Sequence, residues 1–131
     1  MIAKDIMTKE VVFMKPATTI AEAVSILVDN RISAAPVIDD SGSLAGIVSE
    51  KDLLVCLDFL GWEKGKTTVI SNFMSKGVIS FSEESPVKEI MQELVRRNIK
   101  RVPIVKEGRI VGIVSRRDIL KAMQNRQGAS S

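Results

Sequence analysis

Apolar residues at Ile20, Ala23, Val24, Leu27 and Val28 recur at i, i+3, i+4, i+7 and i+8, and Val87, Ile90, Met91, Leu94 and Val95 repeat that spacing. Each set lays one apolar stripe along a helix of about three turns. Thr19 and Glu22 mark the first start with capping-box spacing; Ser85 before Pro86 marks the second with a cap residue and a proline at the first helical position. Ahead of each stripe an apolar pair, Val11-Val12 or Val78-Ile79, predicts a brief strand. Behind each stripe, two apolar runs flank a polar turn. Ala34–Ile38 and Leu44–Val48 surround Asp39-Asp40-Ser41-Gly42, and Val102–Val105 and Ile110–Val114 surround Glu107-Gly108. Glycine second in a two-residue turn suits a hairpin, because that position favours positive φ. Pro36 and Pro103 place their strands at an edge or a strand start. A last helix begins at Ser49 or Ser115. The predicted order is strand, helix, strand, strand, helix, twice over.

The doubling is also legible letter by letter. Residue n aligned with n+67 brings Ile6-Met7-Thr8-Lys9 onto Phe73-Met74-Ser75-Lys76, Glu22 onto Glu89, Ile32 onto Ile99 and Pro36 onto Pro103. The offset then drops to 66, because the first turn is one residue longer, and Gly46–Leu54 runs in register with Gly112–Leu120. One repeat of ~50 residues buries too little surface to stand alone, so the two must pack together. The expected boundaries are repeat 1 at residues 2–60, a linker at 61–70, repeat 2 at 71–123 and a flexible tail at 124–131. Leu53-Leu54-Val55-Cys56-Leu57-Asp58-Phe59-Leu60 is apolar almost all round, which predicts burial on several sides, including against a second subunit. Gly61-Trp62-Glu63-Lys64-Gly65-Lys66 reads as a mobile polar loop.

Composition narrows the chemistry. In 131 residues there is one cysteine, Cys56, and no histidine, which excludes the usual zinc sites and the Ser-His and Cys-His nucleophiles. Carboxylate or lysine chemistry stays open, but the palette is poor for an enzyme, and no catalytic residue or metal site is expected. No apolar run approaches the ~20 residues needed to span a bilayer. The first five residues do not resemble a signal peptide, and a lone cysteine suits a reducing cytoplasm. Charge is uneven: residues 1–66 hold 7 Lys/Arg against 10 Asp/Glu, and residues 67–131 hold 12 against 6. The second half therefore attracts anions.

The strand-to-helix junctions Gly46-Ile47-Val48-Ser49-Glu50-Lys51-Asp52 and Gly112-Ile113-Val114-Ser115-Arg116-Arg117-Asp118 concentrate the candidate chemistry. Ser49 with Asp52 and Ser115 with Asp118 have capping-box spacing, and a cap alone would account for them. Arg116 and Arg117 change the balance. Cations in a first helical turn oppose the macrodipole by roughly 0.3–1 kcal/mol, so a pair of them points to an anion such as phosphate, or else to side chains extended into solvent. Lys100 and Arg101 can add to the same positive region, and Asp118 can accept from a sugar diol. Ser33-Ala34-Ala35-Pro36 and Lys100-Arg101-Val102-Pro103 can wall a slot for a flat ring, or simply pack a core.

The doubled Gly-Ile-Val-Ser-x-x-Asp-[Leu/Ile]-Leu, the segments Ile32–Val37 and Ile99–Ile104, and the leading Ile6-Met7 and Phe73-Met74 together resemble the CBS domain, the cystathionine-β-synthase-type repeat, in its paired form, the Bateman module. The resemblance covers residues 2–123. It implies an α+β fold of tandem β-α-β-β-α repeats packed through their sheets with pseudo-two-fold symmetry, and clefts between them for AMP, ADP, ATP or S-adenosylmethionine. The nucleotide-binding residues it implies in the second repeat are Ile79, Lys100, Arg101, Val102, Pro103, Ile113, Ser115, Arg116, Arg117 and Asp118. In the first, weaker site they are Val12, Ser33, Ala34, Ala35, Pro36, Ile47, Ser49, Lys51 and Asp52. Glu50, standing where Arg116 stands in the second copy, would repel phosphate there.

The resulting expectation is a non-catalytic, cytoplasmic, homodimeric regulatory and energy-sensing module without an obligatory cofactor. It would bind an adenosine-containing ligand and act in trans on a protein partner, without membrane attachment. A nucleic-acid-binding protein, prompted by the basic second half, and a purely structural dimerisation module are the alternatives. Aromatics at 4% make a poor base-stacking platform, which counts against nucleic acid.

Overall fold

The computed structural model describes the backbone of residues 1–130 and the side chains of residues 1–126. In chain order the elements are α1 (Ala3–Ile6), α2 (Ile20–Asn30), β1 (Ala34–Ile38), β2 (Leu44–Ser49), α3 (Glu50–Leu60), α4 (Trp62–Gly65), a 3-10 turn at Ile70–Asn72, α5 (Val87–Arg96), β3 (Arg101–Lys106), β4 (Arg109–Ser115) and α6 (Arg116–Ser130). Among the described residues no helix is long and apolar enough to cross a membrane.

The chain divides into two compact units, one of residues 12–78 and one of residues 1–11 with 79–131. The leader of each repeat is thus built into the unit of the other. In the unit of residues 12–78, β1 and β2 form an antiparallel hairpin with Ala35 opposite Val48 and Pro36 opposite Ile47. The apolar stripe of α2, through Ile20, Ala23 and Leu27, packs with Met14, Ala35, Val37, Val48, Leu53, Cys56 and Ile70. The other unit repeats the plan. Val102 lies opposite Val114 in the β3–β4 hairpin, and both join Ala3, Val87, Ile90, Leu94, Ile104 and Ile119 in the core.

Each hairpin is extended at both edges by single residues. Met14 N–H donates to Pro36 O at 2.9 Å and Met14 O accepts from Ile38 N–H at 2.8 Å; Phe81 makes the same pair with Pro103 and Val105 at 3.1 and 2.8 Å. The brief strands expected at Val11-Val12 and Val78-Ile79 are therefore one-residue bridges, displaced to Met14 and Phe81. Pro36 and Pro103 fit because the bridge asks them only for a carbonyl. On the opposite edge the leaders dock. Ser75 and Ile47 exchange two backbone hydrogen bonds of 3.0 Å, and Thr8 and Ile113 exchange two of 2.8 and 2.9 Å.

Local signals behaved unevenly. Thr19 and Glu22 form the expected capping box at 3.1 and 3.0 Å. Ser85 does not cap α5: its hydroxyl accepts from Ser82 N–H at 3.0 Å, while Pro86 O accepts from Glu89 N–H. Glu107 and Gly108 both take positive φ, 54° and 79°, as a tight hairpin turn requires. Gly61–Lys66, expected as a loop, contains α4, whose Gly65 is buried with no room to spare beside Leu57. The expected tail at 124–131 lies mostly outside the described side chains, and its backbone through Ser130 continues α6. In α3 only Leu53 and Cys56 are buried, while Leu54, Val55 and Phe59 face solvent.

Gly46 and Gly112 are needed where the leaders close over the hairpins. A Cβ on Gly46 would lie 2.7 Å from Ser75 O and 2.8 Å from Met74 Sδ, and one on Gly112 would lie 2.7 Å from Met7 Sδ and 3.1 Å from Thr8 O. Gly46→Ala and Gly112→Ala are each expected to lower unfolding free energy by about 1–3 kcal/mol in chemical denaturation. Gly46→Ala should cost more, since a backbone carbonyl yields less readily than a methionine tip. Unchanged midpoints would contradict the close approach.

Candidate functional site

The site is built on the β4–α6 junction and its counterpart at β2–α3. Ser115 N–H donates to Asp118 Oδ2 at 2.9 Å and Asp118 N–H donates to Ser115 Oγ at 3.1 Å. Ser49 and Asp52 do the same at 2.8 and 3.2 Å. Both junctions are thus complete capping boxes, which satisfy the donors that a helix start leaves open. The two differ in what surrounds the box. Asp118 Oδ1 accepts from the Thr8 hydroxyl at 3.2 Å, so the leader threonine fixes the acid's second oxygen.

Alternation along the strands sorts the remaining residues. Ala35 and Val102 point into the cores and are fully buried there. The opposite face of the β3–β4 hairpin carries two directly opposed pairs, Arg101 with Ser115 and Pro103 with Ile113. Its counterpart carries Ala34 with Ser49 and Pro36 with Ile47. Four residues expected in the second site therefore share one patch of sheet, and four expected in the first share another. Ile79 and Val12 are half-buried, as is Ser33, and Lys51, Lys100 and Arg117 are exposed.

Arg101 is the unusual member. Its side chain is half-buried, and its Nε is enclosed with no hydrogen-bond partner. An unpaired buried donor costs about 1–3 kcal/mol, and more when it belongs to a cation. In the first repeat the corresponding residue is Ala34, which has nothing to satisfy.

Arg116 faces elsewhere. Its Nε donates to Ile99 O at 2.9 Å and its Nη2 to Asn98 Oδ1 at 3.2 Å. The guanidinium thus lies over the loop that ends α5, where helix carbonyls carry partial negative charge and a cation is favourable. Asn98 reaches that position with φ of 52°, a conformation asparagine tolerates well. Arg117 makes no hydrogen bond or ion pair among the described residues and extends from the first turn of α6.

Cys56 completes the inventory. Burial, and secondarily the charge of Asp52, raises its thiol above the ordinary range, which makes it a protonated core side chain. Among the described residues no three Asp, Glu, Cys or His side chains gather to hold a metal ion. The residue that sequence reasoning missed is Thr8. Its alignment with Ser75 showed a hydroxyl in both leaders, but nothing local showed that this one meets Asp118 across 110 positions.

The fold and the doubled junction define a tandem module, and the CBS domain model matches residues 3–58 and 70–125; the chain belongs to the CBS domain family. It is similar to inosine-5′-monophosphate dehydrogenase of Methanocaldococcus jannaschii, 30% identical over 97% of this chain, but spans only 24% of that enzyme's length. Among solved structures it resembles CBSX2 in complex with AMP, with a TM-score of 0.84 and 28% identity, covering 96% of this chain and 98% of the other. It also resembles the CBS domain pair of protein MJ0100 in complex with 5′-methylthioadenosine and S-adenosyl-L-methionine, with a TM-score of 0.80 and 29% identity, covering 96% and 98%.

Arg101→Met removes the unpaired donor while keeping most of the side-chain volume. The ligand-free variant is expected to be as stable as the wild type or up to about 1–3 kcal/mol more stable. Thermal and urea denaturation without nucleotide check this, and clear destabilisation would show that Arg101 is a structural cation.

Proposed function

We propose that this chain is a non-catalytic regulatory module that binds an adenosine-containing ligand at its hairpin–helix junctions and acts in trans on a protein partner. The ligand class is AMP, ADP, ATP or S-adenosylmethionine, and the module works as a cytoplasmic homodimer. The observation that carries the reading is the enclosed, unpartnered Nε of Arg101 on the same face as Pro103, Ile113 and Ser115. That donor lacks an acceptor that a bound ligand can supply. Half-buried Ile113, opposite the buried Pro103, offers apolar surface to a flat ring, and Arg117 offers a free cation to a phosphate. The bound adenosine compounds in the two similar structures support the class.

The second-repeat site is the stronger one. In the first repeat Ala34 replaces the arginine, and Glu50 places a carboxylate in the first turn of α3. That junction suits a ligand with less negative charge, or remains unused at ordinary concentrations.

Titration calorimetry with AMP, ADP, ATP and S-adenosylmethionine tests the reading. One adenosine compound is expected to bind saturably, with Arg101→Met weakening it at least tenfold and Arg117→Ala weakening the phosphorylated ligands most. A ligand at 100 times its dissociation constant should add about 2.7 kcal/mol to stability. No thermal shift with any of the four would overturn the proposal. A duplex nucleic acid that binds instead, with steep salt dependence, would favour the basic-surface alternative.

A further inference from the structure

Two apolar positions left open on the helices recur in both repeats. Val28 and Val95 are equivalent and exposed, as are Leu54 and Leu120, so these openings belong to the shared plan of the fold. Val55 and Phe59 break the pattern. They lie one turn apart on α3 and are 61% and 83% exposed; among the described residues no large apolar side chain is more exposed than Phe59. Their equivalents on α6 are Lys121 and Asn125, both exposed and polar. The second repeat thus builds the same helix on the same hairpin with polar groups at these positions, so packing does not demand apolar ones. Trp62, which opens α4 two residues after the end of α3, is 47% exposed, and its counterpart in the duplication is Gly128.

Scattered exposed apolar residues are ordinary, but a valine, a phenylalanine and a tryptophan left open along one short stretch have the composition of an interface core. The surrounding charge selects the occupant. Helices α2, α3 and α4 carry six carboxylates against Lys51 and Lys64, whereas α5 and α6 carry six Lys/Arg against three carboxylates. Asp58 stands three positions after Val55 and directly before Phe59, and it makes no hydrogen bond or ion pair among the described residues. Its equivalent in the second repeat is the neutral Gln124, and that of Glu50 is Arg116. Lys51, one turn before Val55, is the single cation of α3. A predominantly acidic surface repels phosphate, which disfavours a nucleic acid or an anionic membrane as the occupant. It attracts a segment that combines apolar anchors with lysine or arginine.

We propose that Val55, Phe59 and Trp62 form the docking surface for the partner on which this module acts, and that the partner presents a basic amphipathic helix. Its apolar residues cover Val55 and Phe59, and a lysine or arginine meets Asp58. The inference rests on the reading that the module acts in trans, and it adds the surface and the chemistry of the partner. It also assigns the two repeats different tasks: the second carries the stronger ligand junction, and the first carries the contact with the partner.

Trp62 is the sole tryptophan of the chain, so its fluorescence reports occupation of the surface directly. The full chain is titrated with a synthetic amphipathic helix of leucine and lysine, and with its leucine–glutamate counterpart. The lysine peptide is expected to shift the emission saturably and the glutamate peptide to leave it unchanged. Phe59→Asn and Val55→Lys install the residues that the second repeat already carries, and each is expected to weaken the lysine peptide about tenfold. Asp58→Gln, at an exposed site, covers the case in which either variant folds poorly, and it should weaken the same peptide severalfold. Equal binding of both peptides, no response to either, or binding unchanged in Phe59→Asn and Asp58→Gln would overturn the proposal. So would a loss of self-association in Phe59→Asn by sedimentation equilibrium, which would make a second copy the occupant. A Trp62 shift with vesicles of phosphatidylcholine and phosphatidylglycerol would likewise overturn it in favour of a lipid surface. A chain that binds AMP but neither peptide overturns the docking surface and spares the ligand reading. A chain that binds the lysine peptide but no adenosine compound supports the docking surface and overturns the ligand reading.

Discussion

A two-stranded hairpin has two open edges, and this protein depends on how they are closed. Isolated hairpins are marginal in water, and an edge left unpaired is a template for aggregation. Here one edge of each hairpin is bridged by a residue of its own repeat, Met14 or Phe81, and the other by a leader that precedes the other repeat. The leader ladder forces glycine at residues 46 and 112, brings Met7 and Met74 onto the hairpins and delivers Thr8 to Asp118. A single repeat excised at its apparent sequence boundaries would lose one edge of its sheet together with these contacts.

Cap and ligand site are not competing interpretations of the junction serine and aspartate. Each aspartate spends one oxygen on the cap, and in the second copy the other oxygen holds the leader. Under the proposed reading the ligand is met by the side chains that the cap positions, not by Ser115 and Asp118 alone. Arg101 lies across the ladder from the cap serine, and Arg117 lies in the first turn that the cap opens. The same rigid turn sends Arg116 in another direction, onto the end of α5. Two adjacent arginines, indistinguishable in composition, thus serve different surfaces because successive helical positions point about 100° apart.

The sequence made the duplicated order of elements legible because helical and strand periodicities differ and both occur twice. The helix stripes, the hairpin turns and the three capping boxes at Thr19, Ser49 and Ser115 all follow from short-range spacing. What stayed hidden was long-range. The role of Thr8 and the exchange of leaders depend on pairings that no local pattern encodes. The direction of Arg116 depends on the carbonyls of Ile99 and the side chain of Asn98, seventeen and eighteen residues away. The apolar character of α3 was visible, yet its buried and exposed halves separated only once its packing partners were known. The weak signals misled where one feature admitted two uses: Ser85 ahead of proline serves a turn, and the glycines around Trp62 bound a short helix.

The exchanged leaders also impose an order on assembly. Residues 12–78 form a contiguous unit whose hairpin, helices and edge-closing segment are all present once Val78 has been synthesised. The other unit joins the first eleven residues to a stretch that begins at residue 79, and its Thr8–Asp118 contact closes a loop of 110 positions. Loop closure of that span costs more entropy than local pairing. During synthesis residues 1–11 precede the rest of their unit, which begins at residue 79, by the whole of the other unit. The Thr8–Asp118 contact beside the junction that carries Arg101 and Arg117 therefore cannot form until residue 118 has been made.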